Sequence, residues 1–462
     1  YYEQQCRTSV GPRDLPILEQ TTNRLSVACG NTIPPYTSWT KSYSGGASAS
    51  YVTGSHSFKT GLTWQWGSNA RSFSSNSQIN TLYNGIKIGP QNMTSRIMDT
   101  GSLERIEVLK GPASLISGEG AAGGAVNFVT RKPHRGAVEN EATLSYGSNN
   151  TVRAGFGSGG STSKEGLDYR FDLNRASSDG FINDTASRNA QISGALDFQV
   201  NPVFKLFGSL EHKNDHSNPY WGTPLVPASF AGANAAGGIV SGSYVSNYNS
   251  TNLGNVTIDS RSLSTNYNVL DNYAKAEENM TRAGFEWTMR DNLLLREQAY
   301  YYTARREWFN NEVIAFNTGT GLLDRERFFV SHDQKLLGNK AELQWDSKPA
   351  GMDNRLVTAL DVSKLDFTRP GAANFPADTV NVVDPVRGVY GLLTLQKQTT
   401  QIQNTALSVE DRLKVTPAFA LIGGLRYETI DLDRTSVNVA GANRAGFPFS
   451  ARFHVPRGTS WR

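Results

Sequence analysis

The sequence contains no run of 18 apolar residues, and its mean hydropathy is −0.43 over 462 residues. A transmembrane helix needs such a run, so helical membrane spans are excluded. Cysteine is also scarce, with Cys6 and Cys29 as its two occurrences. This usage fits either a reduced protein or one loop disulfide in an oxidising compartment, and both stay open. The net charge of +4 comes without a basic cluster, which gives nucleic-acid binding little support.

Patterns that indicate catalysis or metal binding are missing as well. There is no G-x-S-x-G motif and no Cys–His pairing, so an enzyme has no positive support. His212 and His216 have the HxxxH spacing that brings two rings to one metal on a helix. Here they lie where a predicted strand runs into a loop, and there the spacing has no such meaning. We therefore predict no catalytic site, no metal site and no resident cofactor.

Alternation of apolar and polar residues dominates the chain from residue 140 onward. Leu167, Tyr169, Phe171 and Leu173, for example, alternate with four polar residues. Such alternation is typical of strands with one apolar and one polar face. About eleven strands can be counted between residues 140 and 431 in this way. The sequence therefore predicts an all-β fold.

The predicted connections alternate between short and long. Tight turns are expected at 201–202, 291–292, 347–354 and 416–417, and long polar segments at 213–280, 307–335 and 368–400. Short turns on one side and long loops on the other are the layout of an outer-membrane β-barrel, whose odd-numbered strands would run outward. A soluble β-sandwich with long loops is the alternative, and it explains the alternation but not the order of the connections.

A glycine-rich stretch, GEGAAG at 118–123, matches the spacing of the dinucleotide-binding fingerprint. That fingerprint needs a helix directly after the glycines, whereas residues 125–130 have strand composition. Without a helix N-terminus no dipole is available to hold a pyrophosphate. We predict instead a strand, a turn, a glycine hairpin and a second strand, with Gly123 and Gly124 in a tight backbone turn.

The surrounding segment, ERIEVLKGPASLISGEGAAGGAVNFVTRKP, resembles the plug signature of TonB-dependent outer-membrane receptors of the ferric-siderophore type. INTLYNGIKIG upstream and DLNRASSDGFIND downstream are similar to other parts of that family. The resemblance implies an antiparallel transmembrane β-barrel of about 22 strands around a plug, in a Gram-negative outer membrane. It also implies uptake of a ferric siderophore driven by the TonB energy-coupling protein. The matching motif residues are Glu104, Arg105, Glu107, Lys110, Gly111, Pro112, Gly118, Gly123, Gly124 and Asn127.

Within this resemblance, the charged motif residues are expected to meet polar residues that face the barrel lumen. A ferric siderophore already saturates its iron, so its site needs aromatic faces and cationic or amide donors rather than metal ligands. The candidate ligand-facing residues are Arg71, Gln91, Asn92 and Met93 in the plug, and Tyr220, Trp221, Tyr244 and Tyr248 in the first long loop. A solvated turn is the alternative for the plug residues. An interfacial girdle or simple loop packing is the alternative for the loop aromatics. Residues 300–302, three tyrosines, are most simply an interfacial girdle.

The sequence departs from the family pattern in its domain order. We divide it into a barrel-like hairpin or extension (1–70), a partial plug (71–135), barrel strands with long loops (136–431), and a loop with a truncated end (432–462). No TonB box is visible, and Phe58, Leu62, Trp64 and Trp66 alternate as in a barrel hairpin placed ahead of the plug. A composite or rearranged reading frame is the preferred interpretation, and a genuine N-terminal extension is the alternative.

Two further expectations concern the covalent and physical state of the chain. If it is exported, Cys6 and Cys29 are expected to form a disulfide that closes a loop of about 24 residues, worth roughly 3 kcal/mol in the chain-entropy model. The predicted last strand, 419–428, is expected to leave an open sheet edge, so that this chain alone would not transport. A cobalamin receptor and a non-transporting adhesin or structural protein remain the rival functions.

Overall fold

The computed structural model describes residues 4–6, 17–19, 24–27, 40–53, 56–69, 79–89, 100–110, 124–220, 222–240, 252–372, 378–390 and 395–437. Strands dominate these residues, and most belong to one large antiparallel sheet. In this part of the chain, no helix is both long and apolar enough to cross a membrane. A separate small sheet at the start is ordered β1-β3-β2 and consists of β1 (Gln4–Cys6), β2 (Ile17–Glu19) and β3 (Arg24–Val27).

The large sheet contains an N-terminal hairpin and eleven strands from the second half of the chain. The hairpin is β4 (Thr40–Thr53) and β5 (His56–Asn69). The eleven strands are β10 (Glu139–Gly147), β11 (Thr151–Ser161), β12 (Leu167–Ser178), β13 (Ser187–Asn201), β14 (Phe204–Ser217), β18 (Tyr273–Arg290), β19 (Leu293–Asn317), β20 (Leu322–Ser347), β21 (Asp353–Ala372), β23 (Leu395–Thr416) and β24 (Phe419–Val437). The predicted all-β fold and its strand number are confirmed.

The order of the large sheet corrects the prediction about its edge. Each of the eleven strands pairs with its neighbour in sequence, and β24 then pairs with β4, from Phe419 opposite Tyr51 to Arg426 opposite Ser44. β4 of the N-terminal hairpin therefore covers the edge of β24 over residues 419–426. Within the described residues the sheet does not close, and its outer strands are β10 and β5.

The long connections lie at one end of the strands and short turns at the other, as predicted. At one end, here called the turn end, the strands are joined by residues 162–166, 202–203, 291–292, 348–352 and 417–418. At the other end, the loop end, the connections are 148–150, 179–186, 218–272, 318–321 and 373–394. All long connections thus lie at the loop end, as in outer-membrane barrels.

Two strands extend much further toward the loop end than their sequence indicates. The predicted loop 307–335 is wrong, because β19 and β20 are 25 and 26 residues long and are joined by residues 318–321. The predicted loops 213–280 and 368–400 shrink to 218–272 and 373–394. A tilted strand crosses the bilayer with about 9–11 residues. Beyond the lipid no strand needs an apolar outer face, so the regular alternation that reveals a strand in the sequence is lost.

The two faces of the large sheet differ, as the alternation predicts. On the outer face, large apolar side chains are exposed in a belt that includes Leu173, Leu210, Trp287, Leu337, Leu343, Trp345, Val362, Leu407 and Leu425. The tyrosines at 300–302 alternate across the sheet: Tyr301 is 44% exposed on the outer face, whereas Tyr300 and Tyr302 are buried on the inner face. The girdle interpretation is therefore wrong for two of the three, because successive strand residues point to opposite faces.

The plug is a four-stranded sheet against the inner face. Its strands are β6 (Ile79–Tyr83), β7 (Ile86–Lys87), β8 (Leu103–Lys110) and β9 (Gly124–Thr130), in the order β7-β6-β9-β8. β9 runs parallel to β6 and antiparallel to β8, so it occupies the centre. The strand predicted after the glycines is thus present.

Loop-end segments pack into a unit that we call the cap, formed by the described residues 218–220, 222–240, 252–272, 313–327 and 378–390. It contains a sheet of β15 (Val226–Pro227), β16 (Ala235–Val240) and β17 (Val256–Asp259), a short helix α1 (Ala228–Ala231), and β22 (Asp378–Val380), which pairs with β20. Short 3-10 turns lie at Gly232–Asn234 and Ser260–Ser262, and a third, outside the cap, at Pro349–Gly351. The cap has its own apolar core, which includes Val226, Val256, Tyr267, Leu323 and Val382.

Candidate functional site

The plug presents a tight hairpin tip to the lumen wall. Asn84 and Gly85 have φ values of 51° and 80°, the positive pair that an Asn-Gly turn between two strands requires. The tip is fastened to β9, because the Asn84 amide donates to the Phe128 carbonyl at 2.9 Å and its side-chain oxygen accepts from the Thr130 amide at 3.0 Å. The flanking side chains, Tyr83 and Ile86, are thereby held in fixed positions.

Tyr83 is the main polar link between the plug and the wall. It is buried, and its hydroxyl donates to the Glu211 carboxylate of β14. Burial, and next the nearby Glu211 charge, raise the pKa of Tyr83 well above its usual value, so the hydroxyl keeps its proton and acts as a donor. The Lys213 ammonium lies 4.2 Å from the centre of the Tyr83 ring, and Arg282 is 3.7 Å from Glu211.

Apolar packing surrounds this polar link. Tyr83, Ile86 and Ile88 of the plug form one buried cluster with inner-face residues of β18 to β21. We call this the Tyr83 cluster, and its wall members are Met280, Tyr300, Tyr302, Ala304, Leu336 and Leu365, with Phe367 and Ile402 packed against it. Because burial of apolar side chains is worth about 1.5–3 kcal/mol each, this contact fixes the plug to the wall.

A second contact joins the plug to the first strands of the sheet. The Gln191 amide of β13 donates to the Ser102 hydroxyl, and both residues are buried. Just beyond β9, Arg131 contacts the carboxylates of Glu141 and, at 3.4 Å, Asp172. The plug is therefore held at two places on the same inner face.

The charged residues of the plug motif differ from expectation. Arg105 pairs with Glu104 at 2.7 Å and with Glu107 at 2.8 Å, and Glu107 accepts from the Asn127 amide at 2.8 Å. Asn127 also accepts from the Gly85 backbone amide at 2.9 Å. The contacts shown for these charges are thus within the plug sheet rather than to the wall, and the three charged side chains are about half exposed. Gly111, Pro112, Gly118, Gly123 and the Lys110 side chain lie outside the described residues.

Gly124 opens the central plug strand with a φ of +141° and is buried. Its backbone is paired on both sides, with Ile79 of β6 and Lys110 of β8. Gly124 is thus the first residue of a strand rather than part of the predicted tight turn, although its φ lies in the region that favours glycine.

We expect Gly124→Ala to destabilise the plug by roughly 1 kcal/mol or more, because a Cβ is strained at this φ. Hydrogen exchange of the β9 amides would measure the loss, with Gly147→Ala, at the end of exposed β10, as the matched control. Unchanged protection of β9, or saturable NAD or ATP binding that the substitution abolishes, would contradict this assignment.

Most predicted ligand-facing residues, namely Arg71, Gln91, Asn92, Met93, Trp221, Tyr244 and Tyr248, lie outside the described residues and stay predictions. Tyr220 is described at the loop end, where its ring meets Phe181 edge to face at 6.2 Å and its hydroxyl contacts that of Thr223. Cys29 is likewise outside the described residues, so the disulfide remains a prediction.

The two histidines of the HxxxH spacing lie on β14, four residues apart on a strand. Such residues share one face but are separated by about 13 Å, too far for one ion. His212 instead bonds to the Asn279 amide oxygen at 2.8 Å. Among the described residues, no group of three or more His, Cys, Asp or Glu side chains could hold a metal.

Sequence reasoning missed the junction at the centre of the cap. Arg325, which is 2% exposed, donates to both oxygens of Asp378 at 3.0 and 2.9 Å and to the Tyr267 carbonyl at 2.6 Å. Burial raises the pKa of Tyr267 to about 12, and its hydroxyl donates to the Val382 carbonyl. Arg325 thus joins all three segments of the cap. Its partners Tyr267 and Asp378 are each more than 50 positions away in the sequence, so no local sequence pattern indicates the contact.

Comparison with known families agrees with this architecture. Residues 228–462 match the family described as TonB dependent receptor-like, beta-barrel, and residues 31–125 match the TonB-dependent Receptor Plug Domain. The plug match begins earlier than residue 71 and so includes the β4–β5 hairpin, which the strand pairing places in the large sheet. The hairpin belongs to the large sheet, because β4 and β5 are 14 residues long and pair along their whole length, whereas the plug strands have two to eight residues.

Individual proteins with similar sequences are also receptors. The Metal-pseudopaline receptor CntO of Pseudomonas aeruginosa is 34% identical over 116 residues, which are 24% of this chain and 16% of CntO. The Catecholate siderophore receptor Fiu of Escherichia coli O157:H7 is 20% identical over 381 residues, 78% of this chain and 47% of Fiu. The chain thus spans about half the length of Fiu.

Solved structures show the same fold. The ferric-catecholate import receptor Fiu from E. coli K12 superposes with a TM-score of 0.67 at 17% identity, over 84% of this chain and 57% of Fiu. The siderophore receptor PiuA from Acinetobacter baumannii gives 0.65 at 17% identity, over 80% and 52%. TonB-dependent receptors are transporters of the Gram-negative outer membrane, and they bind ferric siderophores and couple to TonB as a general family property. The barrel and plug matches, the plugged sheet and its sidedness together show that this chain belongs to the TonB-dependent receptor family.

Proposed function

We propose that this protein is an outer-membrane receptor for ferric siderophores, energised through TonB. The observation that carries the proposal is the plug held against the inner face of a large antiparallel sheet by the Tyr83 cluster. An adhesin has no need of such a plug. The similarity to Fiu, which is named as a catecholate siderophore receptor, supports the class of ligand.

In this proposal the protein carries out no catalytic step and holds no resident cofactor. Iron arrives already saturated by its chelator, so the wall has to supply aromatic and hydrogen-bonding contacts rather than metal ligands. The cap would cover the ligand from the loop end, and TonB would act on the plug from the turn end.

The test of recognition is equilibrium binding of radio-iron-labelled siderophores to outer membranes that contain the protein. We expect saturable binding that an excess of the same ferric siderophore displaces and that cobalamin does not. Displacement by cobalamin, with no saturable binding of any ferric chelate, would instead support the rival chelate receptor. An adhesin would bind neither.

Transport makes a separate prediction. We expect this chain, expressed in a receptor-deficient strain, to give no iron uptake, because the sheet formed by the described residues is open at β5 and β10. Open edges in lipid leave unpaired backbone groups that cost several kcal/mol each and promote aggregation. Uptake at the rate of a complete receptor in the same strain would show that the open edges do not prevent transport.

A further inference from the structure

Arg369 lies on the inner face of β21, beyond the plug contacts. Leu365 and Phe367 of this strand pack into the Tyr83 cluster, so alternate residues face inward and Arg369 is the next of them. β21 runs from the turn end toward the loop end, which places Arg369 above the plug. Beside it, the rings of Phe367 and His332 stack with centroids 5.4 Å apart.

Arg434 lies at the corresponding height on β24. Ile402, which packs against the Tyr83 cluster, is the strand partner of Leu432, and Arg434 is the next residue on that face. Its guanidinium donates to the Gln398 side chain at 2.8 Å, and Gln398 is in turn the strand partner of Arg369. One glutamine on β23 therefore separates two arginines on the same wall.

No carboxylate neutralises either arginine within the part of the chain that the structure describes. The charged neighbour that acts on Arg369 is Arg434 itself. Asp431 and Asp433 occupy alternating positions on β24 and so face the other side of the sheet. The described residues beside them on their strands, 370–372, 395–400 and 434–437, contain no Asp or Glu.

We infer that Arg369 and Arg434 form an anion-recognition site on the lumen wall and select ferric chelates that carry net negative charge. The inference rests on the proposed receptor function. Two exposed guanidinium groups on the same wall can each donate charge-assisted hydrogen bonds to an anionic chelate. Each also offers a flat surface to the aromatic rings of the chelate. The stacked Phe367 and His332 rings supply an aromatic contact beside them.

The test compares two probes on the full chain in outer membranes. One is a trianionic ferric tris-catecholate, and the other is an uncharged ferric trihydroxamate. We expect Arg369→Gln and Arg434→Gln each to lower the affinity for the trianion by about tenfold, because each removes a charge-assisted hydrogen bond. The double variant should lower this affinity further. Affinity for the uncharged chelate should change by less than about threefold, which is under 1 kcal/mol.

Lys364→Gln is the matched control, since it removes one positive charge from the same strand on the opposite, exposed face. It should leave both affinities unchanged. Equal losses for both probes, unchanged trianion affinity in the double variant, or preference of the unaltered protein for the uncharged chelate would overturn the inference while leaving the receptor function intact. Binding of neither probe by the unaltered protein would overturn both.

Discussion

Replacing Arg325 by methionine is expected to cost the cap about 3–5 kcal/mol, because it removes one partner of a buried ion pair. Methionine keeps the aliphatic part of the side chain but removes both hydrogen bonds of the guanidinium to the Asp378 carboxylate, which keeps only longer contacts with Asn311 and Arg327 at 3.2–3.5 Å. It also leaves the Tyr267 carbonyl without its donor. The loss should be local, because the plug contacts involve other residues. It should appear as faster hydrogen exchange of the Leu270 amide, which is bonded to the Gly388 carbonyl across two cap segments.

Arg305→Met provides the control for this prediction. Arg305 is on the adjacent strand and also pairs with an acid, Glu307 at 2.6 Å, but its side chain is 67% exposed. Exposed pairs contribute about 0–1 kcal/mol, so exchange in the cap should hardly change. Similar exchange rates in the Arg325 and Arg305 variants would show that the buried junction does not organise the cap.

Removing the Tyr83 ring is the second large change. Tyr83→Ala should cost about 3–5 kcal/mol of plug docking, because it leaves a cavity in the buried cluster and takes the donor away from Glu211. Tyr83→Phe keeps the ring and should cost about 1–3 kcal/mol, the penalty for a buried acceptor that loses its hydrogen bond. Hydrogen exchange of the plug amides Asn84 and Ile88 would follow the docking equilibrium.

Tyr301→Ala is the matched control for the plug prediction. Tyr301 belongs to the same tyrosine run but faces outward and is 44% exposed, so its loss should leave plug exchange unchanged. If Tyr83→Ala and Tyr301→Ala had the same effect, the plug would not be held by the Tyr83 cluster.

Alternation along the strands was sufficient to predict the fold class, the eleven strands and their sidedness. It failed where lipid no longer imposes an apolar face, so β19 and β20 were predicted to end in a loop near residue 307. It also treated three consecutive tyrosines as one girdle, although a strand necessarily divides them between two faces.

The site was less accessible to sequence reasoning than the fold. The motif located the plug, but the partner of Tyr83 is 128 positions away and follows from strand register rather than from any local pattern. The same holds for Arg325 and Asp378, and for Arg369 and Arg434, which become neighbours through β23. A one-residue change of register would send each of these side chains to the opposite face.

The most direct test of the central claim is to locate bound iron by anomalous scattering at the iron edge in crystals of the protein soaked with a ferric siderophore. A ferric-siderophore receptor with this architecture predicts one iron position on the inner face of the large sheet, between the Tyr83 cluster and the cap. Iron on the outer face, or no iron at saturating concentrations of chelates that bind in solution, would contradict that claim.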